Sequence, residues 1–92
     1  MKDYAQLKKL LEAEEKFPLQ FTFKFVGRNS PGFAESVKTL QERFPALRET
    51  QTRESSGGKH LSKTFSFEAP RAESIVEIYR AVEGLEDILV VL

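Results

Sequence analysis

Between Leu19 and Val26 the chain alternates without a break: Phe21, Phe23 and Phe25 fall on one side, Gln20, Thr22 and Lys24 on the other. A period of two describes a half-buried strand with one apolar face. Three phenylalanines on that face require a second layer to bury them, each worth roughly 1.5 to 3 kcal/mol when fully buried. The next segment provides one. Phe33, Val37, Leu40 and Phe44 recur at helical spacing, so a helix is expected from Pro31 to about Arg43. A second Phe-rich strand, a second helix and a short aliphatic strand follow, and the order strand, helix, strand, strand, helix, strand predicts an α+β chain.

Chain length limits this to one domain, because 92 residues bury only roughly 60 to 65% of their unfolded surface. Fourteen Lys and Arg balance fourteen Asp and Glu, mixed along the chain, so no field steers nucleic acid or an anionic membrane, and neither is expected as a partner. The absence of cysteine excludes a disulfide scaffold, a thiolate metal site and a thiol nucleophile. The leading residues Met1 to Lys9 carry charges where a secretory signal needs an apolar core, and no apolar run reaches the roughly 18 residues that span a bilayer. A cytoplasmic location is expected.

Residues 2 to 16 read as an accessory helix, with Tyr4, Leu7 and Leu11 on one stripe and Leu10 beside it. The alternative is a partner-binding or dimerising helix. Phe17-Pro18 breaks it and starts the main domain, 17–92. Ser30 or Asn29 is placed to cap the first main helix, and Pro31 sits where its missing N–H costs nothing. Pro45 ends that helix. Leu47 to Glu54 is so polar that it belongs on a sheet edge, where charge blocks unwanted pairing. Ser55-Ser56-Gly57-Gly58 reads as a hairpin turn. Leu61, Phe65 and Phe67 then face inward, with Lys63 interrupting the row near the hairpin's open end. The second main helix is expected over Pro70 to Glu83, burying Ala72, Ile75, Ile78, Tyr79 and Val82, with Gly84 as its stop. Ile88 to Leu92 closes the chain and is apolar on both faces, so its outer side should be covered by the leading helix or by a second subunit.

Sites of chemistry are hard to find. Turning Phe21, Phe23 and Phe25 outward as a base-stacking platform would leave Gln20, Thr22 and Lys24 to make the core, so that reading fails on parity. Gly58-Lys59 is no phosphate loop, because Arg53 and His60 stand where glycine and a hydroxyl residue are needed. His60, the one histidine, lacks a nucleophile, an orienting acid or companion ligands at metal spacing. Glu83, Glu86 and Asp87 read as a solvated turn. No enzyme activity, metal or cofactor is expected.

Phe17-Pro18-Leu19-Gln20-Phe21-Thr22-Phe23-Lys24-Phe25-Val26-Gly27, with Pro31 after a turn, resembles the opening of the YbeD-like family of small bacterial proteins of unknown function, which reads Phe-Pro-x-x-Phe-Thr-x-Lys-x-x-Gly. The hairpin residues Ser55, Ser56, Gly58, His60 and Ser62 are similar to that family's, with His60 where tyrosine is usual. The likeness runs from Leu10 to Leu92, with Ala13 to Lys16 as a local extension. It implies a ferredoxin-like βαββαβ two-layer sandwich of the shape of ACT regulatory domains: a four-stranded antiparallel sheet of order 4-1-3-2 with two helices on one face, plus the short N-terminal helix.

ACT modules bind small effectors, often amino acids, at the loop after strand one. Asn29-Ser30-Pro31-Gly32 is similar to their Asp-x-Pro-Gly, with Asn in place of Asp. Two functions are therefore expected to compete. One is a small regulatory module sensing an effector at Gly27, Asn29, Ser30, Pro31 and Gly32, where Gly32→Val should spare the fold. The other is a protein-interaction module acting through the open sheet face, the last strand or the leading helix, with Tyr4, Leu7, Leu11, Val90 and Leu92 as its contacts. Either a monomer or a homodimer fits these readings.

Overall fold

The computed structural model describes residues 3–92 and consists of α1 (Tyr4–Glu14), β1 (Leu19–Arg28), α2 (Pro31–Arg43), β2 (Arg48–Glu54), β3 (His60–Ala69), α3 (Ala72–Glu83) and β4 (Ile88–Val91). Lys2, the expected start of the leading helix, lies outside the described residues. The sheet is antiparallel with order β2-β3-β1-β4, the expected ferredoxin-like arrangement. β1 and β3 are central and pair along their whole length, from Leu19 opposite Ala69 to Arg28 opposite His60. β1 therefore runs two residues past Val26, because Gly27 and Arg28 still have partners in Leu61 and His60.

Period-two patterning sets the core. Phe23, Phe25, Phe65 and Phe67 are buried against Phe33, Val37 and Leu40 of α2 and Ile75, Ile78 and Val82 of α3. The rings of Phe23 and Phe25 stack 5.8 Å apart, and that of Phe25 meets Phe65 at 5.6 Å. Both main helices thus cover one face. Gln20, Thr22 and Lys24 of β1 face the other, open side, as do Ser62, Thr64 and Ser66 of β3.

Ser30 caps α2, its Oγ accepting from Phe33 N–H at 3.2 Å, with Pro31 in the first turn. α3 begins two residues later than expected, at Ala72, with Arg71 at the cap position and no side-chain cap bond. Val76, absent from the expected core, is completely buried. It lies on the stripe of α3 that also carries Glu73, Arg80 and Glu83, and α1 packs on that stripe. Lys8 Nζ pairs with Glu73 at 3.4 Å, Tyr4 Oη donates to Glu83 Oε1 at 2.6 Å, and the Arg80 guanidinium lies over the Tyr4 ring.

Two expectations are corrected. Lys63 faces the helix side, but in the turn half of the hairpin, opposite Thr52 and not at the open end. Its stem escapes the core sideways, and Nζ reaches Glu49 Oε1 at 3.1 Å on the edge strand. The leading helix does not cover the outer side of the last strand: it sits on α3, leaving Leu89, Val90 and Leu92 about half exposed or more, at 49%, 46% and 63%. Its own short stripe accounts for this. α1 has no fully buried residue and meets the domain through Tyr4, Leu7 and Leu11, which reach only as far as α3, the start of β1 and the end of β4.

Candidate functional site

The loop after β1 is built as a junction. Asn29 N–H donates to the Lys59 carbonyl at 2.9 Å and its side-chain amide to the Gly58 carbonyl at 2.8 Å, tying the loop to the β2–β3 turn. Gly58 makes that turn with φ +70°, the left-handed region glycine tolerates. From the other side comes Asp87, whose carboxylate accepts from Ser30 Oγ at 3.1 Å and pairs with Arg28 at 3.7 Å. It lies at the N-terminal end of α2, where the helix dipole favours negative charge. A Cβ on Gly32 would collide with that carboxylate, and one on Gly27 with the Phe33 ring and the Asp87 carbonyl.

Gly32→Val, expected from sequence to spare the fold, would instead displace the Asp87 carboxylate. Nor is the acidic turn simply solvated. Glu83 accepts from Tyr4, the Glu86 carbonyl accepts from Ser36 Oγ at 2.8 Å, and Asp87 closes on the α2 cap. Ser36, buried, and Asp87 were the residues sequence reasoning missed here. Ser36 could have been found, because it lies three residues after Phe33 on the buried stripe.

The two edges of the sheet are the second feature. β2 is exposed throughout, charged at Arg48, Glu49, Arg53 and Glu54, and its register shifts between Glu49 and Gln51. Glu49 accepts from Thr52 Oγ1 at 2.6 Å and pairs with Lys63. The Thr52 bond, aided by Lys63 and opposed by partial burial, holds its carboxyl below the usual value. β4 differs in charge: the side chains of Ile88 to Leu92 carry none, and among the described residues only β1 pairs with them, in a register that shifts between Val26 and Gly27.

On the helix side of β4, Val91 shares with Asp3, Tyr4, Leu7 and Tyr79 an open hollow of about 310 Å³. A second, of about 300 Å³, lies between α1 and the start of β1, against Leu7, Leu10, Leu11, Leu19 and Phe21. Two more lie on β2 and β3, and residues 27 and 29–32 line none of the four. At the α1 hollow the Tyr4 phenol is pushed up to about 12, by desolvation first and then by its bond to Glu83. Among the described residues no three His, Cys, Asp or Glu converge as a metal site, and no helix is long and apolar enough to cross a membrane.

The expected site residues thus separate into two groups. Gly27 to Gly32 cluster with Asp87 at one end of the sheet; Tyr4 and Leu7 meet Val91, beside Val90 and Leu92, while Leu11 packs on the core. His60 is exposed, and its N–H donates to Ser55 Oγ at 3.1 Å, closing the hairpin.

A family described as a protein of unknown function (DUF493) matches residues 12–92, from the end of α1 through β4. The chain belongs to the DUF493 family. Similar DUF493 proteins include a UPF0250 protein of Paraburkholderia phytofirmans, 35% identical over 80 residues that cover 84% of this chain and 90% of that protein. One from Paraburkholderia phymatum is 34% identical over 80 residues, covering 83% and 89%. Bordetella parapertussis has UPF0250 protein BPP0168, 30% identical over 80 residues, covering 84% and 88%. This is the YbeD-like family that the sequence resembles. Its match takes in the β1–α2 junction and β4, whereas Tyr4 to Leu11 precede it.

Proposed function

We propose that this DUF493 protein is a non-enzymatic protein-interaction module whose docking element is the free edge of β4. The observation that carries the reading is an uncharged edge strand with Leu89, Val90 and Leu92 about half exposed or more. Such an edge offers a row of backbone donors and acceptors to another strand, with side-chain contacts for selectivity.

An effector at Gly27 to Gly32 has less support. Asp87 occupies the α2 N-terminus, the place an anionic group would take, and Asn29 is engaged by the hairpin. A panel of amino acids at millimolar concentration is expected to leave the thermal midpoint unchanged; a rise abolished by Asn29→Ala would return the effector to first place.

The docking reading is tested by installing a photo-crosslinking side chain in cells at Val90 and, separately, at Gln51 on the opposite edge. Discrete polypeptide adducts from position 90 and none from 51 are expected. Adducts from 51 alone, or from neither, would overturn it.

A further inference from the structure

We propose that the hollow between α1 and the start of β1 is a docking groove for an extended, basic segment of another protein. It lies apart from the outer edge of β4 and goes beyond the reading above. The backbone carries the first part of the argument. Lys24 N–H donates to the Leu92 carbonyl at 3.1 Å, and the Lys24 carbonyl accepts from Leu92 N–H at 2.8 Å, so both groups of Lys24 point toward β4. β1 pairs with β3 from Leu19 to Arg28 without a register break, so by strand alternation the N–H and C=O of Thr22 and Gln20 point the same way. Among the described residues no strand lies on that side of Leu19 to Phe23, because β4 and Leu92 meet β1 only from Lys24 onward. Outward donors and acceptors stand there instead, and Gln20 and Thr22 line the hollow. A free edge of this kind is completed by an extended segment, which exchanges two hydrogen bonds with Thr22 when it pairs antiparallel.

Side chains fix the chemistry of that segment. Leu7, Leu10 and Leu11 of α1 share with Leu19 and Phe21 a space of about 300 Å³, near the lower end of hollows that hold a ligand. Leu10 is 51% exposed. A residue set opposite Phe21 shares its face of the sheet, so the segment needs an apolar side chain there. Charge sets the flank. Glu14 and Glu15 line the hollow, and no Lys, Arg or His does, Lys16 included. α1 has no basic residue in its last turn, so its carbonyl end adds to the negative potential. An acidic segment is repelled, whereas a Lys or Arg beside the apolar residue meets two carboxylates. A small aliphatic amine offers the same charge and the same apolar part, but it leaves the backbone groups of Gln20 and Thr22 to water.

The probe is the capped peptide Lys-Thr-Leu-Thr-Leu-Thr-Lys, titrated into the full chain with amide chemical shifts as the readout. Shifts are expected at Gln20 to Thr22 and at Leu10 and Leu11, with the counterpart that carries Glu for Lys at least about tenfold weaker. Glu14→Lys combined with Glu15→Lys reverses two exposed charges and suits the helix end, so it should keep the fold and invert that order. Methylating the backbone nitrogen of the central threonine, the residue that pairs with Thr22, should weaken binding about tenfold. In cells, a photo-crosslinking side chain at Leu10 should form polypeptide adducts that the double reversal removes while those from Val90 persist. No shift at millimolar peptide, shifts confined to Leu89 to Leu92, equal affinity of the methylated peptide, or hexylamine binding as tightly as the peptide would each overturn the proposal. Adducts at Leu10 that ignore the double reversal would overturn it too. Adducts lost at Val90 but kept at Leu10 would overturn the β4 reading and leave this groove standing.

Discussion

β2 and β4 flank the same pair of central strands, yet the chain treats them as opposite problems. β2 is fully exposed and discourages a further strand with four charged residues. β4 carries neither charge nor cover over Leu89, Val90 and Leu92. An edge is a liability that sequence either blocks or uses. One sheet with one blocked edge and one open edge has a direction in which it can grow, and that asymmetry is the strongest functional signal in the molecule.

The comparison can be broken first through its glycines. Gly27 lies opposite Ile88 where β1 supports β4, and a Cβ there would strike the Phe33 ring and the Asp87 backbone oxygen. Gly27→Ala should cost about 3 kcal/mol from overpacking, lowering the thermal midpoint by about 12 to 24 °C. Gly57, in the turn that joins β2 to β3, has open space around it, and Gly57→Ala should stay within about 0.5 kcal/mol of the parent. Urea denaturation of both variants checks the pair; similar losses would mean that the β4 side is no more tightly held than the β2 turn.

Next in size is the carboxylate that fastens the start of β4 to α2. Asp87→Ala removes the partner of Ser30 and Arg28 and should cost about 1 to 2 kcal/mol. Amide exchange should then quicken at Ile88 to Val91 while β2 is unaffected, because β2 has no part in that contact.

The smallest effect belongs to the closed edge. Glu49 titrates below the ordinary 4.5 in the folded chain, so its charged form is stabilised by folding. That contribution is present above the unfolded value and is lost as pH falls through the folded one. Glu49→Gln should cost about 0.5 kcal/mol at pH 7, a surface pair's worth. The gap from the parent should close as pH drops below 4.5, as denaturation at several pH values would show.

The fold was legible because its signals were local. Alternation at Phe21 to Phe25, helical spacing at Phe33 to Leu40 and the polar run at β2 each name an element, and parity alone fixed the inward face. The junction was not legible, because Ser30 and Asp87 are 57 positions apart and an acid in a turn is ordinarily solvated. The seat of α1 escaped for another reason. Tyr4, Leu7 and Leu11 form a stripe too short to select between α3 and the last strand, and the choice came from Glu73, Arg80 and Glu83 reaching Lys8 and Tyr4. Of the candidate site, the apolar character of β4 could be read in advance, but its exposure could not, since that depended on where α1 docked.

The central claim, a sheet blocked at β2 and open to another strand at β4, is tested most directly by the paired photo-crosslinkers in cells at Val90 and at Gln51. Discrete polypeptide adducts from position 90 and none from 51 are predicted. Adducts from 51 alone, or from neither, would contradict it.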